Sequence, residues 1–329
     1  MRSSRWIALL MLLFVALALG ACGGDDDDDS GGDDSAKTAE EAPAAAGTIQ
    51  KNDQNSSTKL VIGSKNFTEQ KVLGEIYAQA LEAAGYGVST ELNLGDEKTA
   101  LKALEQGDIS AYPEYTGTAL LSFFGYTADE IPKEGLVAYS KAKEGFAKKD
   151  LTALPLTPFT SSNEVAVTKE TADKYGLQKI SDLSKVANKL TLYGSPECRQ
   201  RLDCKLGLEK VYGLKFKKFV PVDIALRHEV LAKGQADVSI VFTTDPQIKR
   251  EGEVLLEDDK GMFPPYNSTL VVRNDVIEKA GPDLESTVAL VSKGLTDEVM
   301  QELNARVDLD KKTPDVVAGE YLKEAGYVQ

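Results

Sequence analysis

Histidine and cysteine, the side chains that most often perform chemistry, are scarce in this chain. Among its 329 residues there are one histidine, His228, and three cysteines. His228 falls in a predicted helix over residues 225–234, and no serine–histidine pair, cysteine–histidine pair or nucleotide-binding loop is evident. We therefore predict that His228 is a surface residue, and that the protein has no catalytic activity, cofactor or metal site.

The N-terminus predicts export. Arg2 and Arg5 precede an apolar run from Trp6 to Leu19, which is shorter than the roughly 20 residues that span a bilayer. A basic start, a short apolar stretch and small residues before Cys22 are typical of a secretory signal, and the position of Cys22 resembles a bacterial lipobox. We predict a signal peptide over residues 1–21 and acylation of Cys22, with a chance cysteine behind an ordinary signal as the alternative.

Cys198 and Cys204 are the two remaining cysteines. In an exported chain such a pair is usually a disulfide, and this one would close a short loop. A redox or metal site is the alternative, but the spacing is not that of a CxxC motif and the chain has a single histidine. We predict the disulfide.

Residues 22–58 form an acidic, low-complexity segment that includes the run Asp25–Asp29. Such a segment buries too little apolar surface to offset its ordering entropy, and its like charges repel one another. We predict a disordered tether and not a calcium site, because no fixed loop geometry accompanies the aspartates. The net charge of −14 also argues against a nucleic-acid partner.

The folded part, residues 59–329, is long enough for two lobes. Lys59–Gly63 is a predicted strand. Asn66 and Glu69 resemble a capping box, and apolar residues then recur at helical spacing over residues 72–84. We expect the helix that follows Asn66 to direct its backbone dipoles toward a bound anion.

Strand patterns follow over residues 88–94 and 109–112, with a predicted helix over residues 99–106 between them. This alternation predicts an α/β fold with a largely parallel sheet. Ligands bind beyond the carboxyl ends of such strands. The predicted loops at residues 63–65 and 113–118 both lie at such ends.

A second unit echoes the first. Residues 104–110 and 231–239 both read as a helix, a glycine stop, an aspartate and a strand. Each runs into a loop that is rich in aromatic residues and threonine, at 112–118 and 242–245. Two similar lobes with facing loops would produce this pattern.

Two motifs, Val61–Gln70 and Tyr112–Thr118, resemble signatures of the osmoprotectant-binding proteins of ABC importers, which handle glycine betaine, choline and related solutes. The resemblance continues in order through later blocks, at Pro196–Glu197, Arg201, Gly207–Leu208, Tyr212–Leu214, Thr243–Asp245 and Pro265–Tyr266. It implies a two-lobed, hinge-closing periplasmic-binding-protein-like fold of type II with a discontinuous first lobe. The implied lobes are residues 59–160 with 263–329, and residues 161–262.

The resemblance also implies a cation site built from aromatic rings. A trimethylammonium group cannot donate a hydrogen bond and is best held by the negative faces of such rings. Tyr115 and Tyr266 match two tyrosines of the family's box, and a third position falls on Phe242. The fourth falls near Asn163, which is not aromatic, and the neighbouring Glu164 offers a carboxylate that we do not assign to the site.

Lys65, Thr118 and Arg201 match the family positions that bind the carboxylate of a betaine, and arginine suits a carboxylate because its N–H groups are paired. Each residue has an ordinary structural alternative. Lys65 would be a surface lysine, and Tyr115 a core residue. Arg201 would pair with Glu197 or Asp203 and brace the disulfide loop.

Together these features predict a monomeric lipoprotein on the extracytoplasmic face of the bacterial cell membrane. It would capture glycine betaine, choline or a related quaternary ammonium compound and deliver it to an ABC permease. Ergothioneine, carnitine or another polar solute is the alternative ligand, and a tethered sensor module is the alternative role.

Overall fold

The computed structural model describes residues 47–329. The predicted signal peptide, Cys22 and most of the predicted tether lie outside the described residues. Within residues 47–329, no helix combines the length and the apolar character needed to cross a bilayer.

The strands of the described region form two five-stranded sheets, with orders β2-β1-β3-β10-β4 and β7-β6-β8-β5-β9. In chain order the strands are β1 (Lys59–Gly63), β2 (Gly87–Glu91), β3 (Ala111–Tyr115), β4 (Leu151–Ala153), β5 (Asn163–Val167), β6 (Thr191–Gly194), β7 (Lys218–Pro221), β8 (Val238–Phe242), β9 (Val254–Leu256) and β10 (Ser268–Arg273).

Helices cover both sheets. They are α1 (Thr68–Ala83), α2 (Glu97–Gln106), α3 (Thr116–Ser122), α4 (Gly135–Ala147), α5 (Lys169–Tyr175), α6 (Lys205–Tyr212), α7 (Arg227–Ala232), α8 (Gln247–Glu251), α9 (Asn274–Ala280), α10 (Pro282–Ser292), α11 (Asp297–Asp308) and α12 (Pro314–Glu324). Helix α1 is central to the first lobe, because it packs against the sheet on one side and against α10, α11 and α12 on the other, and Val72, Leu73 and Ile76 on it are fully buried.

The two sheets share one topology. In the first, β1 pairs in parallel with β2 and β3, while β10 runs antiparallel between β3 and β4. In the second, β6 pairs in parallel with β7 and β8, while β5 runs antiparallel between β8 and β9. The predicted α/β class and the echo between two units are therefore confirmed. The prediction of a largely parallel sheet was wrong, because each sheet has two parallel and two antiparallel pairings. Since β10 returns to the first sheet after the whole second sheet, the first lobe is discontinuous.

Two local predictions were wrong. Asn66 and Glu69 do not form a capping box, since α1 begins at Thr68 with Phe67 as its N-cap and no side chain caps it. The predicted loop at residues 113–118 is instead the end of β3 followed directly by α3. Tyr115 is the last residue of that strand, so its side chain is aimed by the sheet and not by a loop.

Residues 48–57, the last part of the predicted tether, are packed against the first lobe. The Ile49 N–H donates to the Tyr327 carbonyl at 2.9 Å, and Asn52 Nδ2 donates to an Asp283 carboxylate oxygen at 2.7 Å. Asn55 is buried and its Nδ2 donates to the Ala84 carbonyl at 2.9 Å. The segment is therefore held by asparagine hydrogen bonds to a carboxylate and to a buried carbonyl, and by the packing of Ile49 against the core.

Candidate functional site

A cavity lies between the lobes at the edge of each sheet where parallel strands end and antiparallel strands begin. Its lining is Lys65, Asn66, Phe67, Asp96, Glu97, Tyr115, Thr118, Ser161, Asn163, Tyr193, Ser195, Glu197, Arg201, Cys204, Ile224, Ile240, Phe242 and Tyr266. All seven residues that the sequence suggested for the ligand are among these. The space open to a water-sized sphere is about 70 Å³, several times the roughly 10–15 Å³ that one water needs, which fits a small solute.

Five aromatic rings line the cavity. Tyr115, Phe242 and Tyr266 were expected from the sequence, whereas Phe67 and Tyr193 were not. The Phe67 ring centroid is 5.2 Å from that of Phe242 and 6.3 Å from that of Tyr115. Phe67 therefore packs against one ring from each lobe. Phe67 lies inside the Val61–Gln70 motif, which was the available signal for it.

Lys65 is buried, so the alternative of a surface lysine is wrong. Its ammonium forms an ion pair with the fully buried carboxylate of Glu114 and lies 4.6 Å from the Tyr115 ring centroid. Glu114 Oε2 also accepts a hydrogen bond from the Tyr112 hydroxyl at 3.0 Å. The protein therefore places a neutralised cation of its own over one face of Tyr115.

Arg201 is held by two carboxylates. Its Nε and Nη2 donate to Asp203 at 2.8 and 2.6 Å, and its Nη1 lies 3.0 Å from Glu97 Oε2. The expected pair with Asp203 is thus present, whereas the expected pair with Glu197 is not, and the second partner is Glu97 of the first lobe. Burial favours a protonated Asp203, but Arg201 and a tyrosine hydroxyl outweigh it and lower the pKa of Asp203.

That hydroxyl belongs to Tyr266, which donates to Asp203 Oδ2 at 2.7 Å. Asn163 acts on the same loop, because its Nδ2 donates to the Asp203 backbone carbonyl at 3.0 Å. Near the position where the resemblance implied a fourth ring, this chain therefore has an amide that braces Asp203. Thr118 lines the cavity from the first turn of α3 and is buried.

The loop that carries Arg201 is closed by Cys198 and Cys204. Their Cα atoms are 5.1 Å apart and their sulfur atoms are bonded, within the range that a disulfide requires. Both cysteines are buried in the core of the second lobe. This link fixes the ends of the short segment that presents Arg201 and Asp203 to the cavity.

Glu69 supports Tyr115 from behind. It is buried, and its Oε1 accepts from the Tyr115 hydroxyl at 2.6 Å while its Oε2 accepts from Asn304 Nδ2 at 3.0 Å. Asn304 Nδ2 also donates to the Thr244 carbonyl, at 3.2 Å. Burial raises the pKa of Glu69 despite these donors. Glu69 thus links one ring of the cavity to the loop that follows β8 in the other lobe.

A buried charge cluster lies behind Phe242. The Arg227 guanidinium is 4.7 Å from the Phe242 ring centroid and is paired with Asp245. His228 Nε2 is 2.9 Å from Asp245 and its Nδ1 is 2.9 Å from Glu253. Burial lowers the pKa of His228, but the hydrogen bonds to these two carboxylates raise it more. The prediction that His228 lies on the surface was wrong, because the helical pattern could not show these partners.

Glu164 does not line the cavity, since alternation along β5 turns it away from the side of Asn163. Burial, followed by the negative charge of Asp258, raises the pKa of Glu164 from 4.5 to about 7. A carboxyl group with a raised pKa in the folded state stabilises the protein fully below its unfolded pKa, and that stability is lost as the pH rises through about 7.

We expect Glu164→Gln to increase the free energy of unfolding at pH 8 by on the order of 3 kcal/mol, since each pKa unit corresponds to about 1.4 kcal/mol. At pH 5 the change should be small. Urea unfolding at both pH values measures it, with the exposed Glu144→Gln as the matched control. Equal pH dependence in the wild type and Glu164→Gln would contradict the assignment.

The sequence matches a known family over most of its length. Residues 58–324 match the substrate binding domain of the ABC-type glycine betaine transport system. The chain is 33% identical over 269 residues to the ergothioneine transport permease/ergothioneine binding protein of Helicobacter pylori strain G27, covering 81% of this chain and 48% of the relative. It therefore spans about half the length of that relative.

In two further comparisons, the match covers most of this chain and most of the other protein. The carnitine transport binding protein of Listeria monocytogenes is 31% identical over 279 residues, covering 84% of this chain and 89% of the relative. A crystal structure of a glycine betaine/carnitine/choline ABC transporter protein has a TM-score of 0.64 and 31% identity, covering 82% of this chain and 99% of that one. These likenesses confirm the predicted two-lobed fold of type II. The chain belongs to the family of substrate-binding domains of ABC-type glycine betaine transport systems.

Proposed function

We propose that this protein captures a small quaternary ammonium compound, such as glycine betaine or choline, between its two lobes. The observation that carries the proposal is the set of five rings around one small cavity, lined from both lobes. A trimethylammonium group offers no hydrogen-bond donor, so rings that exclude water are the surface that suits it. The residues assigned to the ligand are Lys65, Tyr115, Thr118, Asn163, Arg201, Phe242 and Tyr266.

The role that follows is delivery to a membrane permease. The solute would bridge the two lobes and shift the population toward a closed form, which would then dock on the permease of an ABC importer. Acylation of Cys22 after removal of residues 1–21 would anchor the chain on the extracytoplasmic face of the membrane, as a monomer without catalytic activity. The Cys198–Cys204 disulfide is part of this proposal, because an exported chain meets oxidising conditions.

Calorimetric titration of residues 23–329 with glycine betaine and choline tests the proposal. We expect saturable binding of at least one of them, and no binding of 3,3-dimethylbutanol, which has the shape of choline without its charge. The neutral compound separates cation–ring attraction from simple burial of methyl groups. Equal affinity for choline and 3,3-dimethylbutanol would show that the positive charge does not contribute to binding. A folded protein that binds none of the three compounds would overturn the proposal.

A second candidate ligand keeps the cation site. The names of the relatives include ergothioneine and carnitine, both of which carry a trimethylammonium group. The amide of Asn163, at the position of a fourth ring, favours a ligand that differs from glycine betaine on that side of the cavity. Titration with ergothioneine and carnitine in the same experiment ranks them. Binding of a solute without any import defect after deletion of the gene would instead favour the sensor role.

A further inference from the structure

Glu97 is a buried carboxylate on the wall of the cavity, and it was not among the residues that the sequence suggested for the site. It is the first residue of α2 in the first lobe, and its side chain is 4% exposed. Its Oε1 accepts from the Ser122 hydroxyl at 3.2 Å, and its Oε2 lies 3.0 Å from Arg201 Nη1 of the second lobe. Glu97 thus closes the cavity across the cleft between the lobes.

This contact leaves Arg201 little capacity for an anionic ligand. A guanidinium binds a carboxylate best through two adjacent N–H groups. Asp203 occupies Nε and Nη2, and Glu97 engages Nη1. Each of the three guanidinium nitrogens is therefore already paired with a carboxylate of the protein itself.

The charges at the cavity do not balance. Within the described part of the chain, the ion pairs on its wall contain two cations, Lys65 and Arg201, and three carboxylates, Glu97, Glu114 and Asp203. Lys65 and Glu114 neutralise each other, and Arg201 neutralises one of its two partners. One negative charge is left in excess, in a place where water screens it little.

The entrance does not add to this excess. A wider groove adjoins the cavity between α2 and the disulfide loop, and its lining includes three carboxylates, Asp96, Glu97 and Glu197, together with three cations, Lys98, Arg201 and Lys210. The excess negative charge therefore belongs to the wall of the cavity and not to the groove that leads to it.

We propose that Glu97 is a specificity-determining residue, which makes the site select trimethylammonium cations that lack a carboxylate, the chemistry of choline, over zwitterions such as glycine betaine. This inference rests on the proposed function. A ligand carboxylate would have to displace Glu97 or Asp203 from Arg201 and leave a buried carboxylate without its partner. A ligand with a single positive charge displaces nothing and neutralises the excess.

Calorimetric titrations of the wild type, Glu97→Gln and Glu105→Gln with choline and glycine betaine test this at one fixed ionic strength. Glu105 is the matched control, because it lies on the same helix but pairs with Lys149 at the surface. We expect the wild type and Glu105→Gln to bind choline about tenfold or more tightly than glycine betaine, because a carboxylate beside like charges is disfavoured. In Glu97→Gln that ratio should fall to about one or reverse.

The ratio of the two affinities separates selectivity from damage, since a purely structural defect would weaken both ligands alike. Restoration of the ratio in Glu97→Asp would support the charge argument. If Glu97→Gln does not fold, the wild-type ratio and its dependence on salt decide, because choline affinity should fall with salt more steeply than betaine affinity. Tighter binding of glycine betaine by the wild type would overturn the inference alone, whereas no binding of either ligand would overturn the proposed function as well.

Discussion

Replacing Tyr266 with alanine should lower the affinity for a quaternary ammonium ligand by about 100-fold. A desolvated cation–ring contact is worth about 2 kcal/mol, and removal of the hydroxyl takes a hydrogen bond from buried Asp203 at a further cost of about 1 kcal/mol. Since about 1.4 kcal/mol corresponds to a factor of ten, the two losses account for that change. Calorimetric titration with the tightest ligand measures it.

Tyr266→Phe divides this effect into its parts. The variant keeps the ring and loses only the donor to Asp203, so we expect a loss of about tenfold or less. Tyr126→Ala is the matched control, because Tyr126 is a partly exposed ring outside the cavity. An equal loss in Tyr266→Phe and Tyr266→Ala would mean that the hydroxyl, and not the ring, holds the ligand.

Asp245→Asn should reduce the free energy of unfolding by about 3–5 kcal/mol, since removal of one partner of a buried ion pair strands the other charge. Asp245 is 6% exposed and serves three groups, because it pairs with Arg227, bonds to His228 and accepts the Phe242 N–H at 2.8 Å. Urea unfolding at pH 7 measures the loss. We also expect a lower ligand affinity, because Asp245 and Arg227 hold Phe242 in place.

Asp173→Asn provides the comparison. Asp173 also pairs with a cation, Lys169, but both side chains are more than half exposed. We expect a loss of about 0.5 kcal/mol or less, because exposed pairs are screened by water. Similar losses in the two variants would show that burial of the Asp245 cluster does not determine its contribution.

The sequence predicted the parts of this fold that repeat along the chain. The helical spacing of apolar residues and the glycines that end helices located most of α1 and α2. They also predicted the alternation of strands and helices that builds the sheets, because these signals depend on residues close together in the sequence. The misplaced boundaries were those that tertiary contacts decide. Glu69 looked like a capping residue, yet its carboxylate is recruited by Tyr115 and Asn304, which lie far away in the sequence.

The site divides in the same way. The motif match placed the seven suggested residues at one cavity, since a match in order along the chain carries the family's geometry with it. The match could not identify the carboxylates that form ion pairs with Lys65 and Arg201. Glu97 meets Arg201 only because the two lobes face each other, and no local pattern records which charges will meet across a cleft.

The burial of His228 has a practical consequence. It is the only histidine of the chain, and its ring lies between Asp245 and Glu253, one residue along from the arginine that stacks on Phe242. Its carbon-bound ring protons therefore give a single pair of resonances in a proton NMR spectrum, without isotope labelling or assignment. Those resonances are a built-in reporter for any rearrangement of the second lobe when a solute enters.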